Sequence, residues 1–377
     1  MSHTASSQCS IWLSLQIPSF LFLWFILTAK VCSTIGLKPI YHAGFVPATR
    51  VVVPPRSASL SAAIAGIQPS GDLHIGNYIG CIKPAVEYQD DRGDLTLLIA
   101  DLHATTGRET NQDLGDVTRR TVATVLACGI DPEKTNVILQ SDMPEILQLN
   151  WILGTVISLG RMRKLANFDR RDLAQEKDSV AECLYPLLMA ADVLCSGSDT
   201  IIAGVDQTSH AHVIREVAEK LNRRLASPII PMPNLHVNSG FKVMSLDGEG
   251  KMSKSSKKQS SRIHLTDTDE EIYEKLRKAK TSTTADASSP EVANLIRLLN
   301  FFSGDVQSTI SEMQFSVLKD HLHQATCIYL SPIRQRYYKL ISDDTAVQAA
   351  LRAGHRRMQP VFASILERVK RSLKYYI

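Results

Sequence analysis

Residues 65–77 read Ala65-Gly-Ile-Gln68-Pro-Ser70-Gly-Asp-Leu-His74-Ile-Gly76-Asn77. The first residues close an apolar, strand-like run, a Pro/Ser/Gly turn follows, and from Leu73 the small residues suit the first turns of a helix. A strand, a tight loop and a helix N-terminus in this order present unpaired backbone N–H groups and the positive end of a helix dipole. Phosphate is the ligand that such a junction favours.

A second phosphate signal lies far downstream, in the stretch Gly248-Glu-Gly250-Lys251-Met252-Ser253-Lys254-Ser255. Its two lysines are three positions apart and can converge on one polyphosphate, with serine hydroxyls as further donors. An ordinary helix start and a solvated basic loop would each produce one of these patterns alone. Their combination in one chain favours a nucleotide site.

Short apolar runs at 95–100, 136–140 and 200–203 end in polar or glycine positions and are separated by helix-length segments such as 117–128. This alternation predicts parallel βαβ units, and therefore an α/β fold. Ligands of such sheets bind beyond the carboxyl ends of the strands. The polar residues expected there are His74, Asp101, His103, Asp206 and Gln207.

A further predicted helix covers 184–194, with Pro186 suited to its start, and Asp192 is its single carboxylate. An ionised Asp in apolar surroundings must find a hydrogen-bond donor or take up a proton. The alternative is an Asp that faces solvent or caps a neighbouring helix.

The charge balance separates the N-terminus from the rest of the 377 residues. Residues 1–71 hold four of the 42 basic residues and none of the 38 acidic ones, so the remainder is formally neutral. The net charge of +4 is therefore no sign of nucleic-acid binding, which would need a local patch.

Two targeting elements are predicted in this N-terminal region. Segment 1–33 contains an apolar run at 20–27 that suits a signal peptide better than a bilayer span of roughly 20 residues. Segment 34–61 is basic, acid-free and Pro-interrupted, as in organelle transit peptides. This arrangement resembles the bipartite leader of secondary plastids and predicts an apicoplast-like plastid, with a mitochondrion as the alternative and no stable membrane association after leader removal.

The cysteines outside the leader form no C-x-x-C pair, so neither a disulfide framework nor a zinc site is predicted. His210 and His212 lack a matching set of ligands and are interpreted as ordinary helix residues. No metal site of the protein's own is expected.

Beyond residue 262 the pattern becomes helical. Helices are predicted at 269–280, 290–302, 310–322, 332–341 and 346–373, with Gly354 interrupting the last. Basic residues there offer phosphate contacts, although most are expected on solvated helix faces. They are Arg334, Arg336, Lys339, Arg352, Arg356, Arg357, Arg368, Lys370 and Arg371.

The motifs at 74–77 and 251–255 together resemble the paired signatures of class I aminoacyl-tRNA synthetases, and 184–194 resembles the tryptophan-binding helix of bacterial-type tryptophanyl-tRNA synthetases. The resemblance implies a Rossmann-like catalytic domain at 62–262 and an all-α anticodon-binding domain at 263–377. It implies ATP-dependent activation of L-tryptophan and transfer to tRNA(Trp) for organellar translation, by a homodimer.

The same resemblance assigns the site residues. The catalytic ones are Lys251, Lys254, His74 and Asn77. The ATP-binding ones are Gln68, Ser70, Gly76, Asn77, Gly204, Asp206, Lys251, Met252, Ser253 and Lys254. Magnesium would arrive bound to ATP.

The tryptophan-binding residues implied are Asp192, Tyr185, Met189, His103, Gln207, Gln68 and Ile64. Asp192 is expected to accept the indole N–H as a buried group with no other partner, which would reject amino acids that lack this donor. The chain departs from the family pattern at Ile64, where relatives often carry an aromatic residue, and at Leu102, where a Gln is common.

Three alternatives remain. A tyrosyl-type synthetase is disfavoured by the 189–192 segment and by the opening at 68–70. A cytidylyltransferase-like enzyme leaves the helical tail and the lysine motif unexplained. A non-catalytic tRNA-binding paralogue is disfavoured by the intact lysines and His74.

Overall fold

The computed structural model describes residues 62–106, 113–166, 179–204, 207–237, 241–254, 256, 258–281, 289–304 and 314–376. All of them belong to one compact unit. The expected leader segments at 1–33 and 34–61 lie outside these ranges, as do Asp206 and Ser255. Within the ranges, no helix combines the length and the apolar character needed to cross a membrane.

A five-stranded sheet forms the centre of the described chain, with all pairs parallel in the order β3-β2-β1-β4-β5. Its strands are β1 Ala63–Ile67, β2 Leu95–Ile99, β3 Thr135–Leu139, β4 Thr200–Ala203 and β5 Asn234–Val237. Ala63 of β1 pairs with Leu95 on one side and Thr200 on the other, so β1 is central. The predicted parallel α/β sheet is confirmed, although β5 was not predicted.

The strand order reverses at β1, because β2 and β3 extend to one side of it and β4 and β5 to the other. Such a reversal leaves a crevice beyond the carboxyl ends of the two strands that diverge. The loop that follows Ile67 and the residue Gly204 that follows β4 therefore face each other across this crevice.

Helix α1 follows β1 in three consecutive stretches, α-helical Ile75–Asn77, π-helical Tyr78–Ile82 and α-helical Lys83–Arg92. The further helices are α2 Asp101–Ala104, α3 Leu114–Ala127, α4 Pro144–Gly154, α5 Leu159–Leu165, α6 Val180–Ser196, α7 Thr208–Leu225, α8 Asp269–Arg277, α9 Pro290–Ser303, α10 Phe315–Ser342 and α11 Thr345–Ser372. π-helical turns are rare and occur frequently at functional sites.

Apolar side chains are buried on both faces of the sheet. Along β1, Ala63 and Ala65 belong to one core and Ile64 to the other, as expected for a strand whose side chains alternate. The C-terminal helices contribute to both cores, since Leu322 of α10 lies in the first and Phe362 of α11 in the second. Both side chains are 0% exposed, so the C-terminal helices are packed directly onto the sheet layers.

Helix α6 begins earlier than the sequence predicts. Ser179 accepts a hydrogen bond from the Glu182 N–H, and the Glu182 carboxylate accepts one from the Ser179 N–H, which forms a capping box. Pro186 therefore lies inside the helix, and the expectation that it marks the start is wrong.

Helix α10 is continuous where two separate helices were predicted. The segment between residues 322 and 332 is helical, and Pro332 lies inside the helix. Buried side chains such as Thr326 and Leu330 continue the apolar face through this segment. Tertiary packing of one face therefore holds α10 together across the proline.

Gly354 does not interrupt α11, which contradicts the prediction. A Cβ atom at this position would lie 2.0 Å from the carbonyl oxygen of Val137 in β3. The glycine is needed because the helix backbone approaches the strand backbone at this point.

Helix α11 lies against β3, one of the two edge strands of the sheet that the structure describes. Arg357 donates to the side-chain oxygen of Asn136 at 2.6 Å and to the carbonyl of Pro132 at 2.7 Å. A covered edge offers no template for pairing with a second chain.

We expect Gly354→Ala to lower the free energy of unfolding by about 3 kcal/mol, since the new methyl group meets a rigid backbone carbonyl. Urea unfolding measures this loss. Gly154→Ala is the matched control, because Gly154 also lies in a helix and a Cβ there has nothing within 4 Å. An equal response of the two variants would contradict the close approach of α11 to β3.

Candidate active site

Two adjoining cavities, of about 410 and 370 Å³, open at the crevice beyond β1 and β4. The residues that line both are Gly66, Gln68, Gly76, Asn77, Cys81 and Lys251. We call them the amino-acid cavity and the phosphate cavity, after the ligands that the sequence analysis predicts for their residues. The first has a largely apolar floor, and the second is lined by lysines, amides and backbone.

His74 forms the N-cap of α1 at the wall of the phosphate cavity. Its Nδ1 accepts a hydrogen bond from the Gly76 N–H at 3.1 Å, and the Asn77 side chain accepts one from the His74 N–H at 3.2 Å. A Cβ on Gly76 would lie 2.9 Å from the imidazole Cε1. The glycine therefore leaves room for the ring that caps the helix.

The imidazole of His74 is only 2% exposed. Burial is the main cause and, together with electrostatic interactions with Lys254, His264, Arg262 and Lys251, lowers its pKa to about 3. His74 is consequently neutral near pH 7. Because Nδ1 accepts the Gly76 N–H, the ring proton resides on Nε2, which makes Nε2 the donor of this group.

We call residues 248–254 and 256 the lysine loop, and residues 251–254 of this loop line the other side of the phosphate cavity. Met252 donates its N–H to the carbonyl of Val243 at 3.0 Å and is buried beneath the loop. Lys254 donates to the Gln68 carbonyl at 2.8 Å, so it contacts the loop that follows β1. Burial lowers the pKa of Lys254 to about 8, which still leaves it mostly protonated at pH 7.

Main-chain pairing joins the start of α1 to residues 263–265, which follow the lysine loop. The Ile75 N–H donates to Ile263 O at 3.0 Å, and the Leu265 N–H donates to Leu73 O at 2.9 Å. Arg262, only 6% exposed, donates to the Ser256 carbonyl at 2.7 Å and anchors the lysine loop. The sequence analysis missed Arg262, because a buried arginine has no local pattern that distinguishes it from a surface one.

Asp192 lies at the base of the amino-acid cavity and is 5% exposed. The expectation that it lacks other partners is wrong. His103 Nε2 lies 3.0 Å from Oδ2, and Gln140 Nε2 donates to Oδ1 at 2.7 Å. Burial raises the pKa of Asp192, while these hydrogen bonds oppose the shift.

The structure brings the predicted site residues that it describes to these two cavities. The amino-acid cavity is lined by Ile64, Gln68, Gly76, Asn77, His103, Tyr185, Met189, Asp192, Gly204, Gln207 and Lys251. The phosphate cavity is lined by Gln68, Ser70, His74, Gly76, Asn77, Lys251, Met252, Ser253 and Lys254. Asp206 lies outside the described residues. Their individual roles toward ligands stay predictions.

His210 is a helix residue, as expected, but it also lines the amino-acid cavity. Its Nδ1 lies 2.6 Å from Oε1 of Gln207. Among the described residues, no group of three or more His, Cys, Asp or Glu side chains is arranged to hold a metal ion.

A family model for class I tRNA synthetases of the tryptophan and tyrosine type matches residues 58–327. The chain belongs to this family. It is thus an aminoacyl-tRNA ligase of class I, and the resemblance of its two motifs to the class signatures is confirmed.

Among its relatives, the class I synthetase is 34% identical to the tryptophan–tRNA ligase of Prochlorococcus marinus, over 83% of this chain and 96% of that one. It is 33% identical to the chloroplastic/mitochondrial tryptophan–tRNA ligase of Arabidopsis thaliana, over 83% and 82% respectively. The tryptophanyl-tRNA synthetase of Campylobacter jejuni, solved with ADP and tryptophan, superimposes with a TM-score of 0.70 at 26% identity, covering 83% of this chain and 99% of that one.

The lowered pKa of His74 makes stability depend on pH. The imidazole takes up a proton near pH 6.5 in the unfolded chain and only near pH 3 in the folded chain. The stabilisation that neutral His74 gives to the folded state is therefore complete above pH 6.5 and declines as the pH falls from 6.5 to 3. In this range, His74 adds a slope of about 1.4 kcal/mol per pH unit to the free energy of unfolding. We expect His74→Asn to remove that slope from the free energy of unfolding, as measured by urea titration at several pH values.

His321→Asn serves as the control for this titration, because His321 is exposed on α10. The pH dependence of its unfolding should match that of the unmodified chain. Loss of the same slope in both variants would contradict the burial of a neutral His74.

Proposed function

We propose that this synthetase activates L-tryptophan with ATP and transfers it to tRNA(Trp). The observation that carries the proposal is one buried carboxylate, Asp192, at the base of an apolar cavity that opens directly onto a lysine-lined phosphate cavity. The relatives named as tryptophan–tRNA ligases support the choice of amino acid.

In the proposed activation step, the tryptophan carboxylate attacks the α-phosphate of ATP in line, giving tryptophanyl-AMP and pyrophosphate. The step needs no protein nucleophile, so positioning and charge stabilisation carry the catalysis. Lys251 and Lys254 would stabilise the charge that develops on the leaving pyrophosphate. The terminal adenosine of tRNA(Trp) would then attack the activated carboxyl group.

ATP would lie across both cavities. The start of α1 offers the Gly76 and Asn77 region to the phosphates, with the neutral His74 as a donor through Nε2. Gln68, Ser70 and Ser253 add polar groups around them, and Gly204 and Asp206 would contact the adenosine. The described residues that line the phosphate cavity include no carboxylate, so this lining fits an anion, and Mg²⁺ would enter on the phosphates of ATP.

Tryptophan would occupy the apolar part of the amino-acid cavity. Ile64 and Met189 contribute to its wall, and Asp192 would accept the indole N–H. Tyr185 and Gln207 would hold the α-ammonium and carboxylate groups. A buried acceptor of this kind disfavours an amino acid without the N–H, because the carboxylate would then lose a hydrogen bond in a buried position.

The helical region 263–377 is proposed to contact the anticodon. Several of its basic residues have partners within the chain: Arg336 donates to the carbonyl of Ala127 at 2.6 Å, and Arg334 donates to that of Asp267 at 2.6 Å. Lys339, Arg352 and Arg356 are exposed on α10 and α11. These three are the better candidates for phosphate contacts.

We expect purified protein that begins near Ser57 to catalyse ATP–pyrophosphate exchange with tryptophan and not with tyrosine or phenylalanine. Lys254→Ala should lower the exchange rate by about 100-fold, as for the loss of one transition-state donor. Lys258→Ala is the matched control, because Lys258 is exposed and pairs with Glu249 at 3.1 Å. Tyrosine-specific exchange, or an equal effect of both lysines, would contradict the proposal.

We further propose that residues 1–33 and 34–61 deliver the enzyme to a secondary plastid for organellar translation. The acid-free, two-part composition supports this, and one relative carries a chloroplastic/mitochondrial designation.

Residues 1–60 fused to a fluorescent reporter should accumulate in the plastid, whereas residues 34–60 alone should not enter the secretory route. Cytosolic fluorescence of the longer fusion would refute the targeting role.

A homodimer is also proposed. Helices α4 and α6 pack against each other and expose large apolar side chains, Trp151 at 76% and Val180 at 74%. A second copy would remove this surface from water.

In sedimentation, Trp151→Glu should shift the protein to monomer, while Ile328→Glu, at a residue 75% exposed on α10, should not. A monomeric unmodified protein would exclude the dimer.

A further inference from the structure

Gln140 lies immediately after β3 and is 0% exposed. It lines neither cavity, but its side chain connects two parts of the amino-acid cavity. Nε2 donates to Asp192 Oδ1 at 2.7 Å, and Oε1 accepts the N–H groups of Leu102 and His103 at 3.1 and 3.2 Å. Sequence analysis assigned no role to this residue.

The orientation of this amide is determined by its neighbours. Oε1 faces two backbone N–H donors, and Nε2 faces a carboxylate oxygen. The flipped amide would place its NH₂ group against two donors and its oxygen against a carboxylate, which leaves every group unpaired. The backbone is also fixed, since the Gln140 N–H donates to Ile99 O at 3.0 Å.

Asp192 is thereby held from two sides, by Gln140 at Oδ1 and by His103 at Oδ2. Gln140 also bonds to the backbone of His103, so one side chain sets the position of both the acceptor and its second partner. An ionised carboxylate has about four acceptor positions. Two are occupied, and the others remain for a ligand in the cavity.

We propose that Gln140 is a positioning residue for amino-acid specificity, which holds Asp192 oriented so that a free acceptor position meets the indole N–H. This inference rests on the proposed activation of tryptophan. Gln140 itself does not touch the substrate. Its loss should weaken recognition of the N–H group and leave the phosphate cavity unaffected.

Two variants separate the hydrogen bond from the packing. Gln140→Leu removes both the donor and the acceptor. Gln140→Glu keeps the shape and an oxygen for the Leu102 and His103 N–H groups, but replaces the donor to Asp192 with a second carboxyl oxygen. Because Glu has nearly the same shape as Gln, the Gln140→Glu variant still tests the inference if the Leu variant fails to fold.

The measurement is ATP–pyrophosphate exchange with tryptophan and with 3-benzothienylalanine, whose ring has the same shape but a sulfur atom in place of the N–H. The ratio of kcat/KM for the two substrates reports recognition of the N–H. We expect both Gln140 variants to reduce this ratio by about 10- to 100-fold, through a higher KM for tryptophan. The KM for ATP should change little.

Gln89→Leu is the matched control. Gln89 is also buried, at 3% exposure, and its side chain also bridges two backbone groups, Gly129 O and the Asp131 N–H, at 3.2 and 2.7 Å. It lines neither cavity. Its loss should lower stability without changing the substrate ratio.

A selective loss of tryptophan recognition in the Gln140 variants supports the inference. Equal losses with both substrates, or an unchanged ratio in both variants, would overturn it and leave the proposed function intact. Absence of tryptophan-dependent exchange in the unmodified protein would instead overturn the proposed function and, with it, this inference.

Discussion

Two main-chain hydrogen bonds, Ile75 N–H to Ile263 O and Leu265 N–H to Leu73 O, hold the active site together. They join the start of α1 to the segment that follows the lysine loop, although nearly half of the chain lies between them. Lys254 strengthens the connection by donating to the Gln68 carbonyl. Both walls of the phosphate cavity depend on this pairing, because neither segment alone encloses a polyphosphate.

The burial of His74 and Asp192 determines the chemistry of both groups. Burial beside several cations keeps the His74 ring neutral, and only a neutral ring can cap α1 through Nδ1. Positive charge toward a phosphate therefore comes from the lysines and the helix start. On the opposite wall, the same burial favours protonation of Asp192, and donors from His103 and Gln140 oppose it. Burial and cationic neighbours therefore act together on His74, whereas burial and hydrogen bonds act in opposite directions on Asp192.

The C-terminal helices have a structural role beside any role in binding RNA. Arg336 and Arg357 donate to carbonyls of the sheet layers, and Gly354 lets α11 approach the backbone of β3. A basic residue on an amphipathic helix looks the same in sequence whether it faces solvent, RNA or a neighbouring carbonyl. The distinction depends on which surface the helix packs against.

The sequence by itself determined the family, the parallel α/β sheet and many of the residues that line the two cavities, because strand and helix periods and the two motifs are local patterns. The tertiary structure decided the added strand β5, the unbroken α10 and α11, and the early start of α6. It also revealed that Asp192 has partners. Gln140 and Asp192 are 52 positions apart, and their hydrogen bond exists only because the end of β3 meets α6 in the folded chain. Contacts of this kind have no local signal, since they depend on how distant segments pack.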